Sequence, residues 1–184
     1  MRLARSRFLA ALTGLLLIAG PLVVGAAAQQ RVVYIDGKRI DADAYSVTLI
    51  AEDGASKTLS AEELAALPQQ EVRIRESDSS TIIFRGPTLR SLVTLVGAPT
   101  GPALRGPSML LAVMAQANDG YRIAFMLPEL DEQFGASEAI LALTQDGRPL
   151  PEPDGPYRIV VPAETHRARW ARQVNTLRLV RVGN

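Results

Sequence analysis

Turn-forming dipeptides recur so often along this chain that no regular element between them can be long. Asp36-Gly37, Asp53-Gly54, Gly86-Pro87, Asn118-Asp119-Gly120 and Asp146-Gly147 each interrupt the backbone. Between the breaks lie short runs rich in β-branched residues, at 31–35, 45–51, 81–84, 109–114, 121–126, 139–143, 157–161 and 176–182, with Val72 and Ile74 alternating with charges between them. These read as strands. Helical signals are fewer. Ser60 and Glu63 form a capping box that opens a helix over 61–67, stopped by Pro68. Leu89, Leu92, Val93 and Val96 stand at core spacing over 89–96, with Gly97 as the stop, and 128–134 has helix-like spacing. Residues 98–108, with several Pro and Gly, read as a loop. Hydrophobic content of 47% supplies a core, so the expected fold is one strand-rich α+β domain with short helices.

The first 28 residues stand apart. Arg2, Arg5 and Arg7 precede an apolar stretch over 8–24, and Ala26-Ala27-Ala28 offers a cleavage site. This pattern predicts a secretory signal peptide, a mature domain over 29–184 and a periplasmic location, with no membrane insertion after cleavage. Removing 1–28 takes three of the 20 basic residues and none of the 19 acidic ones. The remaining 17 against 19 give a net charge near −2, which argues against a nucleic-acid partner.

Chemistry-bearing residues concentrate in 155–182. Between the two strand-like runs there lie the only histidine, His166, the only tryptophan, Trp170, and Arg167, Arg169 and Arg172. An indole can stack on a flat ring, and guanidinium groups donate paired hydrogen bonds to carbonyl or phosphate oxygens. The chain has no cysteine, so no thiolate can act as nucleophile or hold a soft metal. No residue is assigned a catalytic or metal-binding role. His166 suits an exposed or capping place, and Tyr121 suits the core.

Several sequence pieces occur in one order: Leu64-Ala-Ala-Leu-Pro68, Phe84-x-Gly86-x-x-Leu89-x-x-Leu92, Asp119-Gly120-Tyr121, Ile140-Leu141-Ala142, Asp146-Gly147-x-Pro149-Leu150, Gly155-Pro-x-Arg158-x-Val-Val-Pro162 and Arg169-Trp170. In that order, over about 45–182, the chain resembles the sulfite-oxidase-type molybdopterin-binding domain. Enzymes of that superfamily hold molybdenum through a cysteine thiolate in the region corresponding to 72–80, which here reads Val-Arg-Ile-Arg-Glu-Ser-Asp-Ser-Ser. In this respect the chain is similar to the small, exported, cysteine-free PruR-type sensors. These bind free pterins in the periplasm and report to a membrane-bound enzyme of cyclic-di-GMP turnover.

The resemblance implies a pterin as bound ligand and no catalytic cofactor. Trp170 would stack on the ring, and Arg167, Arg169 or Arg172 would meet O4 and N5. Asp119 or Glu164 would accept from the 2-amino and N3–H edge, with Tyr121 and His166 nearby. Two alternatives stand beside it: a molybdopterin-dependent oxidoreductase with an atypical metal site, and a scaffold that binds a protein and no small molecule.

Overall fold

The computed structural model describes residues 32–35, 38–41, 45–135 and 137–183, with side chains from residue 45 onward. The leader expected over 1–28 and the Asp36-Gly37 turn lie outside the described residues. Thirteen strands are present among the described residues: β1 (Val32–Ile35), β2 (Lys38–Asp41), β3 (Val47–Ile50), β4 (Ser56–Leu59), β5 (Gln70–Arg75), β6 (Thr81–Gly86), β7 (Leu111–Ala117), β8 (Arg122–Met126), β9 (Ile140–Ala142), β10 (Thr144–Gln145), β11 (Arg148–Pro149), β12 (Arg158–Val160) and β13 (Val174–Arg181). Two short helices accompany them, α1 (Ala61–Ala66) and α2 (Leu89–Thr94).

The largest sheet has the order β4-β3-β13-β7-β8. Its middle strand β13 runs parallel to β3, with Leu177 opposite Leu49, and antiparallel to β7, with Leu177 opposite Ala115. All three residues are fully buried, so one face of this sheet forms a wall of the core. A second sheet has the order β11-β10-β6-β5, and β9 pairs with β12. Phe84 and Val72, opposite each other on β6 and β5, turn inward, as do Leu141 and Ile159 on β9 and β12. β1 and β2 pair antiparallel as a two-stranded sheet.

Local sequence chemistry accounts for most of these elements. At α1 the Ser60 hydroxyl accepts from the Glu63 N–H at 3.2 Å while the Glu63 carboxylate accepts from the Ser60 N–H at 2.8 Å, so the expected capping box is formed. At α2 the Thr88 hydroxyl caps Ser91, and Leu89, Leu92 and Val93 are buried. The β10–β11 hairpin turns on Asp146 and Gly147, both at positive φ, as a two-residue turn requires.

Three expectations change. β4 carries no apolar alternation and was not expected; it forms by pairing with β3, where the Thr48 and Thr58 hydroxyls lie 3.2 Å apart. The helix expected over 128–134 is two 3₁₀ turns, Leu127–Leu130 and Glu132–Phe134, parted at Asp131. Asp131 is 2% exposed. Its carboxylate accepts from the Gly101 N–H at 2.9 Å and the Gln133 N–H at 3.1 Å, with Arg90 at 3.5 Å, so side-chain bonds replace the helical ladder there. Finally, the loop at 98–108 contains a 3₁₀ turn, Gly101–Ala103, and a second, Gly106–Leu110, takes Met109 and Leu110 out of the strand expected at 109–114.

The end of β6 runs antiparallel beside β9 at Gly86. A β-carbon built there would lie 1.9 Å from the Leu141 carbonyl oxygen. The strands are stitched on both sides of this point, by Leu141 N–H to Pro87 O at 2.9 Å and Leu143 N–H to Arg85 O at 2.8 Å. The neighbour is backbone and cannot rotate aside. Gly86→Ala is therefore expected to destabilise by about 3 kcal/mol or more in chemical denaturation, and a loss under about 0.5 kcal/mol would show that the strands can separate freely.

The Gly101 N–H, helped by Gln133 and Arg90 against the opposing effect of burial, holds the Asp131 carboxyl below its ordinary range. Such a group contributes stability that is complete above the unfolded-state pKa and is lost as pH falls through the folded-state value. The stability difference between wild type and Asp131→Asn should therefore be largest near neutrality and shrink on acidification below about pH 4. Urea midpoints measured for both proteins across this range test it; a difference independent of pH would mean the carboxylate charge plays no part.

Candidate functional site

The segment after β12 folds back over the core through Pro162 and returns as a 3₁₀ turn, Arg167–Arg169, before β13. Its anchor is Trp170. The indole is 4% exposed, its N–H donates to the Val161 carbonyl at 3.1 Å, and the Phe84 ring meets it edge-on at 6.0 Å. Two guanidinium groups lie over the ring, Arg167 at 4.7 Å and Arg158 at 5.4 Å from its centroid. Trp170 is thus a core residue capped by cations, a favourable electrostatic pairing with the ring's π face. A flat ligand could stack on it only after a guanidinium has moved.

Each arginine nearby is held by an acid. Arg167 donates to Glu76 at 2.6 Å, and Arg158 to Asp154 at 2.6 Å. Arg172, half exposed, lies 3.8 Å from the other Asp154 oxygen. Burial lowers the Arg158 pKa; Asp154 opposes this, while Arg167 and Arg172 add to it. The Arg158 Nε is buried and has no hydrogen-bond partner, although a guanidinium stays charged at neutral pH. Arg169 forms a second centre. It pairs with Glu164, reaches Glu129 at 3.2 Å, and lies 4.5 Å over the Phe125 ring. Glu164 is partly buried at 19% side-chain exposure, and its second oxygen has no partner.

The structure therefore groups Trp170 with Arg167 and Arg158, sets Arg169 with Glu164 at a second centre in the same loop, and adds Tyr121, whose hydroxyl donates to the Ala168 carbonyl at 2.8 Å. Tyr121 is 47% exposed, not part of the core as expected, because it precedes β8 and spans to the 3₁₀ turn over the protein surface. Asp119 is exposed and accepts from the Tyr121 N–H at 2.8 Å, closing its own turn. His166 is exposed and caps nothing with its side chain. Sequence reasoning did not assign Glu76, Glu129, Asp154, Phe84 or Phe125 to the site. Glu76 and Arg167 are 91 residues apart, so no local spacing joins them. Arg158 was visible as part of the Gly155-Pro-x-Arg158 piece.

The residues do not fit a cysteine-held metal. The β5–β6 turn offers carboxylate and hydroxyl oxygens alone, and the Asp78 carboxylate there already accepts from the Ser80 hydroxyl at 2.6 Å and N–H at 2.9 Å. Among the described residues no three His, Asp or Glu side chains gather as a metal site. A depression of about 270 Å³ between the β3–β4 turn and the end of α2, lined partly by Lys57 and Leu95, shares no residue with the Trp170 cluster.

The chain matches no protein-family model and no curated protein. Among solved structures, it is similar to the crystal structure of the sulfane dehydrogenase SoxCD from Paracoccus pantotrophus, with a TM-score of 0.57 and 15% identity. The likeness covers 74% of this chain and 38% of that one. The fold is of the sulfite-oxidase-like α+β type. At this identity the likeness speaks of fold alone. No helix among the described residues is long and apolar enough to cross a membrane.

Two outcomes are expected from the site's geometry. Trp170→Phe should cost about 1–3 kcal/mol in thermal or urea unfolding, since the Val161 carbonyl loses its buried donor and the cations lose the stronger π face. Arg169→Ala, which leaves the Glu164 carboxylate unpaired, should cost about 1–2 kcal/mol after allowance for partial solvent screening. The double variant with Glu164→Gln should recover part of that loss; strict additivity would mean the pair is not coupled.

Proposed function

We propose that this chain is a non-catalytic pterin-binding protein that works in the periplasm as a sensor for a membrane-bound enzyme of cyclic-di-GMP turnover. The observation that carries the reading is the gathering of Arg158 and Arg167 over the only tryptophan, with Arg169 and the partly buried Glu164 paired in the same loop. A pterin is flat, presents acceptors at O4 and N5 to guanidinium donors, and presents an amino and N3–H edge to a carboxylate. Glu164 has an oxygen without a partner and suits that edge better than Asp119, whose carboxylate closes a turn. The likeness of fold supports a pterin-related ligand class, and the lack of cysteine supports binding without molybdenum chemistry. The basic and then apolar first 28 residues support export, and export supports a membrane-bound partner.

The cover over Trp170 favours a second reading, a scaffold that binds a protein and no small molecule. One titration separates the two. Oxidised and reduced pterins added to the protein should quench Trp170 fluorescence saturably, and as the only tryptophan its signal needs no separation. A flat titration in demonstrably folded protein would overturn the pterin reading and leave the scaffold.

A further inference from the structure

The two guanidinium groups over Trp170 are held differently. Arg158 is the fixed one: its side chain is 14% exposed and lies against Asp154. Arg167 is the accessible one, closer to the ring, and its side chain and that of Glu76 are 40% and 24% exposed. A solvent-reached ion pair of this kind exchanges partners readily. Glu76 also belongs to a turn of its own. Its N–H donates to the Ser80 carbonyl at 2.9 Å, and its carbonyl accepts from the Ser79 N–H at 3.0 Å, closing the β5–β6 connection. One carboxylate thus ties the hairpin turn to the guanidinium that covers the indole.

Resting on the pterin-binding reading of this site, we propose that Glu76 and Arg167 form a latch over Trp170. The Arg167 guanidinium occupies the ring face on which a flat ligand would stack, so the ligand enters only when Arg167 turns aside. The side chain does not go unpartnered in the open state, because a carbonyl oxygen at the ligand's edge can accept from it in place of Glu76. Glu76 is then released, and the turn over 76–80 is the part of the surface that changes with occupancy. The latch makes Arg167 both the cover of the empty site and a donor in the filled one.

The latch can be read without ligand. In folded, ligand-free protein, Glu76→Gln and Arg167→Ala are each expected to raise acrylamide quenching of Trp170, while Arg167→Lys, which keeps the charge and loses the flat cover, should fall between them and wild type. Unchanged quenching in both of the first two variants would overturn the latch. With pterin titrated in, Glu76→Gln should bind roughly two- to fivefold tighter than wild type, the worth of an exposed ion pair that no longer has to be broken. Saturable wild-type binding with unchanged affinity in Glu76→Gln would sink the latch alone. Failure of every titration, wild type included, would sink the pterin reading instead, with the acrylamide result still deciding whether Arg167 covers the ring.

Discussion

At Gly86 two strands pass with no space for a methyl group, and the rest of the arrangement follows from that contact. β6 pairs with β10, and the chain just past β6 bonds edge to edge with β9 at Pro87 and Thr88, so this contact joins the β9–β12 pair to the four-stranded sheet. The hydrogen bonds from Leu141 and Leu143 fix the register there. That register sets where Phe84 lies, and the Phe84 ring edge meets Trp170. The indole in turn carries the guanidinium groups of the site. A close backbone contact in the core thus determines the position of a charged surface more than 80 residues further along the chain.

Much of the fold was legible in the sequence because its signals are local. The capping box at Ser60, the turn at Asp146-Gly147 and the stop at Gly97 work through neighbours within a few residues, and each is found where those residues stand. β4 was not legible, since Ser56 to Leu59 become a strand only by pairing with β3. The break at Asp131 was hidden for the same reason: the partner that draws its carboxylate out of a helical pattern, Gly101, is 30 residues away. Local propensity decides an element until a distant polar partner offers more.

The site divides along the same line. Within one loop, Arg167, Arg169 and Trp170 stood out by residue type, and the family resemblance added Glu164. What composition could not say is that the tryptophan faces inward and that its exposed side is taken by cations already paired with acids. An arginine in sequence looks like a free donor; here Arg158, Arg167 and Arg169 each have a carboxylate. Any ligand at this place must compete with those carboxylates, which the primary structure scatters from Glu76 to Glu164.

The position of β13 has a consequence for how the molecule is assembled. Residues 174–181 fill the middle of the five-stranded sheet, between β3 near the start of the domain and β7. Until they arrive, β3 with β4 and β7 with β8 are two separate hairpins whose apolar faces have no common wall. The largest sheet can therefore close only when residues 174–181 are free to pair, and contacts of such long sequence separation form slowly. A sheet built this way is completed by its last strand in sequence and not by steady addition at one edge.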